Sequence, residues 1–240
     1  MSKTVYNERL LDFLVRSYFG CDRNELEDSE QQKCAYRAYL DLARTVKYLY
    51  SSSEIEKAKP ESDKSNFGKA RKSLIENICA DLVKDIKEYP QDFNDFDVWH
   101  TKKCDWISKQ MNAVYDKDKK FLKEPFTYGQ AQKWLNMTLK YLWLLNLLPS
   151  NISEELLHVP IDSFILQALQ ETGKFDESQN EIIYSGETYR YKGETWSAMS
   201  EENYESLQKK IREIVKEKKI SPIEWEYSAW IKIAKERSIK

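Results

Sequence analysis

Six glycines and six prolines in 240 residues leave this chain few places to turn sharply or to break a helix. All-β folds need turn residues at short, regular intervals, whereas helices need long stretches without them. Apolar residues here recur at spacings of three and four, the period of a helix with one buried face. Residues 4–19 follow that pattern through Val5, Leu10, Leu11, Leu14, Val15 and Tyr18, with Gly20 as a stop. Residues 29–50 predict a longer helix with Ser29 as its N-cap, and residues 51–65, polar and containing Pro60, a mobile connection. A third helix is predicted over 67–87, ending before Pro90, then an acidic irregular stretch at 92–97 and a fourth helix over 101–119.

After a turn at 121–126 comes the most apolar helix, opened by Thr127. Thr127 and Gln130 match a capping box, in which the hydroxyl takes an orphan amide and the glutamine reaches back. Residues 153–157 read as a helical turn, and Pro160 as the start of a short helix through Gln170. Residues 181–192 alternate around Gly186 as a small hairpin. Ser200 caps a helix over 201–218, and Ser221 with Pro222 starts another through Arg237. The predicted fold is all-α, mostly helical, with at most one small β-hairpin. It forms a single globular domain over 1–240 with material for two lobes.

Several function classes are excluded. The longest apolar stretch, residues 134–148, is interrupted by Asn136, Lys140 and Asn146, so it reads as a buried helix and no membrane association is expected. The N-terminus lacks the order of a secretory signal. Cys21, Cys34, Cys79 and Cys104 are dispersed and only two histidines accompany them, which argues against a zinc or iron–sulfur site. No metal or cofactor is expected, and reduced thiols suit a monomer in the cytoplasm. Net charge is −2, but residues 98–145 hold nine lysines against four acids. That excess is either a solvated helix face or a patch that neutralises phosphates.

The patch leads into residues that carry chemistry. The start of the Thr127 helix, with Thr127, Tyr128, Gly129 and Gln130, offers free amides and a positive dipole end suited to a DNA phosphate, and Gly129 permits close approach. Lys133 lies one turn further in, where the same field and partial burial disfavour the ammonium form. A neutral lysine amine can attack a sugar C1′ and form a Schiff base. Downstream, Pro160 stiffens the chain ahead of Asp162, and a carboxylate near a helix start stays ionised, able to stabilise a developing oxocarbenium ion.

Gly129 and Lys133 on a predicted helix–hairpin–helix, followed by Val159-Pro160-Ile161-Asp162, resemble the helix–hairpin–helix DNA glycosylases, in particular the 8-oxoguanine DNA glycosylases and their archaeal relatives. The resemblance covers about residues 101–170. It implies that Lys133 is the Schiff-base nucleophile and Asp162 the catalytic carboxylate, with DNA bearing a damaged or modified base as partner. The hairpin carries one glycine where the family commonly has two, and the lysine and aspartate are 29 residues apart, nearer the archaeal type. The implied activity is base excision with β-lyase chemistry, in repair or in defence against phage with modified DNA.

An excised base must be flipped and held by aromatic stacking and polar contacts. Trp99, His100, His158 and Trp230 are the candidates for that pocket, while Gln130, Gln132 and Asn136 either read base edges or serve the hairpin. The alternative class is a non-enzymatic helical module that binds DNA or a protein.

Overall fold

The computed structural model describes residues 3–89, 95–116, 119–179 and 181–238. Among them are ten α-helices and two small antiparallel sheets. The first part comprises α1 (Lys3–Phe19), α2 (Arg23–Asp28), α3 (Gln32–Leu42), α4 (Ser52–Glu56), α5 (Asp63–Lys87) and α6 (Phe96–Met111). Then β1 (Val114–Asp116) pairs with β2 (Lys119–Lys120), and α7 (Tyr128–Leu144) follows. The second part holds α8 (Ser163–Gln170), a three-stranded sheet of β3 (Ile182–Ser185), β4 (Thr188–Tyr191) and β5 (Glu194–Thr195), α9 (Glu201–Lys218) and α10 (Pro222–Ser238). No helix among the described residues is long and apolar enough to cross a membrane.

The mostly helical expectation holds, but the β content exceeds the single hairpin predicted. Gly186 and Glu187 both take positive φ, as a tight two-residue hairpin turn requires. Lys192 and Gly193 repeat that geometry and add β5, a strand too short to show alternation. The β1–β2 sheet replaces the last turns of the helix expected over 101–119. Asn112 stops α6 at Met111: its side-chain amide donates to the Ser108 and Phe126 carbonyls, and its Oδ1 accepts from Phe126 N at 2.8 Å. Asn side chains compete with helical hydrogen bonds in this way.

Other boundaries moved for similar reasons. Ser29 is the C-cap of α2, not the N-cap of the next helix. The helix expected through residue 50 ends at Leu42, where Thr45 Oγ1 donates to the Leu42 carbonyl at 2.8 Å. A 3-10 turn over Ala43–Thr45 follows, and beyond it Leu49 N donates to Phe121 O and Lys123 N to Lys47 O. The stretch expected to be a mobile link contains α4, started by a capping box of Ser51 and Glu54, and Ser62 then caps α5. Of the acidic stretch at 92–97, residues 92–94 lie outside the described residues, and Asp95 caps α6 through Val98 N. Residues 153–157 form hydrogen-bonded turns only. The helix expected from Pro160 starts at Ser163.

The buried apolar side chains form two clusters. One joins α1 to α7, with Leu157 and Ile223; the other joins Val159, Ile161, α8, the three-stranded sheet and α9 with Trp225. Helix α7 lies between them and is buried almost from end to end. One side, with Ala131, Trp134, Leu135 and Leu142, packs on the first cluster, where Trp134 Nε1 donates to Ala35 O at 2.8 Å. The opposite side carries Gly129, Gln132, Lys133, Asn136 and Lys140, at the spacing that puts them on one face. That polar face meets the second cluster.

Candidate functional site: a lysine–aspartate pair at the seam of two cores

Lys133 Nζ donates to Asp162 Oδ2 at 2.8 Å, with the two side chains 7 % and 15 % exposed. The sequence places them 29 residues apart; the fold brings them together because α7 and the start of α8 meet at the seam. Asp162 is itself the N-cap of α8. Its Oδ1 accepts from Phe164 N at 2.9 Å and Ile165 N at 3.0 Å, which leaves Oδ2 for the lysine. Burial pushes the carboxyl upward, but the Lys133 charge and hydrogen bond and the two amides outweigh it and hold Asp162 below its ordinary value. A second pair, Lys140 Nζ to Glu226 Oε2 at 2.5 Å, lies two turns further along the same face.

The residues expected to meet DNA phosphate have internal partners. Thr127 and Gln130 form the predicted capping box. Thr127 Oγ1 also donates to Ser197 O at 2.5 Å, and Gln130 Nε2 to Thr45 O at 3.0 Å. Gly129 N donates to Met199 O at 2.9 Å, and the Trp196 carbonyl occupies the space a Cβ would need. Tyr128 is half-buried against the Tyr204 ring, its hydroxyl 3.4 Å from Thr101 Oγ1. Glycine at 129 thus admits the protein's own backbone. The start of α7 is covered by residues 196–199, and α6 and α7 are joined through the β1–β2 sheet rather than by a bare turn.

The basic excess of residues 98–145 is also reduced. Lys103, Lys119, Lys133 and Lys140 pair with Asp85, Asp63, Asp162 and Glu226, all acids from outside that segment. Lys117 lies outside the described residues.

Of the base-pocket candidates, Trp99 is buried in the first cluster between Tyr89 and Phe96. Trp230 on α10 is partly exposed and stacks on Phe164, ring centroids 5.2 Å apart, with the Arg237 guanidinium 4.0 Å from the Phe164 ring. His100 and His158 are buried together, ring centroids 4.3 Å apart.

The histidines belong to a polar network that the sequence did not reveal. His158 Nε2 donates to Asp97 Oδ1 at 2.9 Å, and Tyr204 OH meets His158 Nδ1 at 2.8 Å. Asn136 Nδ2 donates to the Tyr204 oxygen at 2.8 Å and to Gln132 Oε1 at 3.1 Å, while His100 Nε2 donates to Asn136 Oδ1 at 2.7 Å. Arg212 forks onto both oxygens of Asp97. Asp97, Thr101, His158, Tyr204, Lys209 and Arg212 line a cavity of about 400 Å³, and neither Lys133 nor Asp162 is among its lining residues. One signal for this network was present in sequence: Asn136 interrupts the apolar stretch of residues 134–148.

Burial holds both histidines below the ordinary 6.5, His100 furthest. For His158 the Arg212 charge adds to burial and Asp97 opposes it; for His100 the neighbouring His158 adds. Below pH 6.5 the unfolded chain therefore takes up protons that the native state refuses, so stability is full above that pH and declines beneath it. The expected slope approaches about 1.4 kcal/mol per pH unit for each histidine that stays neutral. These are the only two histidines in the chain. Urea denaturation between pH 7 and about pH 5 should show this decline, and His158→Gln should reduce its slope to the part that His100 contributes. A wild-type profile flat across that window would contradict the neutral, buried pair.

Comparison of the chain with protein-family models, with curated proteins and with solved structures finds no match.

Proposed function

We propose that the protein excises a damaged or modified base from DNA, as a glycosylase of the helix–hairpin–helix kind with lyase activity through Lys133. The observation that supports this reading is the 2.8 Å contact between Lys133 Nζ and Asp162 Oδ2, a nucleophile and a carboxylate held at the junction of two cores. In the proposed reaction the lysine ammonium gives a proton to Asp162, and the free amine attacks C1′. The glycosidic C–N bond breaks as the new C–N bond forms, and the departing base takes the proton from Asp162, which becomes a carboxylate again. Asp162 offsets oxocarbenium character on the sugar while its other oxygen stays anchored by two amides. Transfer of an amine proton to the ring oxygen opens the sugar and leaves a Schiff base on Lys133; loss of a C2′ proton to Asp162 then expels the 3′ phosphate and cuts the strand. DNA is held by surfaces other than the start of α7. The four cysteines, all free and buried, suit a reducing cytoplasm.

Borohydride trapping on duplexes carrying oxidised guanine or modified cytosines tests this. The expected result is a covalent complex that forms with wild type and is lost in Lys133→Gln. Base release that requires Asp162 but not Lys133 identifies a monofunctional glycosylase, and no complex, release or scission on any substrate removes the enzyme reading. Excision of oxidised guanine points to repair, and excision of modified cytosine to defence against phage.

A second reading is favoured by the covered start of α7. In it the pair is a structural tie between the two cores of a helical module that binds DNA or protein. Its mark is salt-sensitive binding that survives Lys133→Gln and Asp162→Asn.

A further inference from the structure

The segment leading into Asp162 is held by two buried glutamine side chains from two helices. Gln208 on α9 donates from Nε2 to Val159 O at 2.7 Å and accepts from Val159 N at 3.2 Å. Gln132 on α7 donates from Nε2 to Ile161 O at 2.9 Å and accepts from Ile161 N at 3.2 Å. A carboxamide presents a donor and an acceptor side by side, as a neighbouring strand would, so each glutamine satisfies both backbone groups of one residue. Between the two gripped residues stands Pro160, which has no N–H to satisfy. Two carboxamides thus replace the strand partners that an extended, buried segment otherwise needs.

Gln132 adjoins Lys133 in α7, and Ile161 adjoins Asp162. The carboxamide clamp and the ion pair are therefore neighbours, each one residue along its own backbone. Gln132 is itself fully committed: Nε2 also donates to Gly129 O, and Oε1 also accepts from Asn136. Its position is fixed from both sides before it grips Ile161.

We propose that Gln132 is the positioning residue of the pair: it sets where Asp162 stands relative to Lys133 by clamping the residue immediately before the aspartate. Gln208, two residues further back, aligns the segment but leaves Asp162 less constrained. The catalytic meaning of the clamp rests on the base-excision reading, whereas the clamp itself does not.

The test has two arms. In the first, surface acylation of amines followed by peptide mass spectrometry reads how often Lys133 leaves its partner, with Lys140 as an internal reference because it is paired with Glu226 on the same helix face. Asp162→Asn sets the level for an unpaired Lys133. Loss of the two Ile161 hydrogen bonds in Gln132→Met is expected to raise Lys133 labelling about tenfold, with Lys140 unchanged. Gln208→Met should raise it less. Gln132→Glu, which keeps the chain length and the acceptor for Ile161 N, should fall between wild type and Gln132→Met. Unchanged Lys133 labelling in Gln132→Met and Gln132→Glu overturns the proposal. So does a parallel rise at Lys133 and Lys140, which signals general loosening.

The second arm uses whichever duplex wild type traps. There Gln132→Met should slow trapping at saturating DNA with the DNA concentration for half-maximal rate unchanged. A change in that concentration alone overturns the positioning role. If wild type traps no duplex, the base-excision reading falls, and the labelling arm still decides the clamp.

Discussion

Replacement of Gly129 by alanine is expected to destabilise the protein by about 3 kcal/mol, seen as a lowered midpoint in urea denaturation. An added Cβ would stand 2.1 Å from the Trp196 carbonyl oxygen and 2.9 Å from Met199 N, both backbone atoms that cannot rotate aside. The segment they belong to is tied down by the Gly129 N–Met199 O and Thr127 Oγ1–Ser197 O hydrogen bonds, and Trp196 packs against both apolar clusters. Relief of the clash therefore separates residues 196–199 from the start of α7. A Gly129→Ala protein with wild-type stability and weakened DNA binding would instead show that the glycine serves a phosphate.

Asp162→Ala is expected to cost about 3–5 kcal/mol at neutral pH, because it leaves the Lys133 ammonium buried without a counter-charge. It also strips the Phe164 and Ile165 amides of their cap, a loss of about 1 kcal/mol by itself. The double variant Lys133→Met, Asp162→Asn should recover most of that loss, since it buries no charge and retains a capping side chain. A loss below about 1 kcal/mol for Asp162→Ala would show that the unpaired Lys133 ammonium reaches water. The pH dependence has a definite sign. The carboxyl lies below its ordinary 3.8 in the folded state, so its contribution is complete above that value and is lost as pH falls beneath it. This acid loss is separate from the histidine-linked decline that begins near pH 6.5.

The Thr127–Gln130 capping box was legible because both of its partners lie in one turn of chain. The Ser51–Glu54 box had the same signature, inside a stretch whose polarity and Pro60 suggested a loop, and local capping prevailed over composition there. The ends at Leu42 and Met111 were not legible. They depend on Thr45 and Asn112 side chains and on pairing with residues 121–126, and periodicity carries no information about such distant partners.

The candidate site divides in the same way. Lys133 and Asp162 were singled out by residue type and spacing, and the fold brings them into contact. Their neighbours have internal partners that the sequence did not show. Gly129 and Gln130 face the protein's own backbone, Trp99 is core, and His100 and His158 are joined to Asp97 and Arg212 by a network spanning three helices and the segment before Asp162.

By itself, the sequence determined the helical class and the starts of α7, α9 and α10, because capping and 3.6-residue periodicity are local. Only the tertiary structure decided that α7 is buried on both sides, and therefore that its polar face lies at the seam of two cores, with Lys133 and Lys140 paired across it. A stripe of Gln132, Lys133, Asn136 and Lys140 reads the same on paper whether water or a second core covers it. The difference lies in partners 29 to 86 residues away, Asp162, Tyr204 and Glu226, which turn those side chains from solvated groups into buried ones.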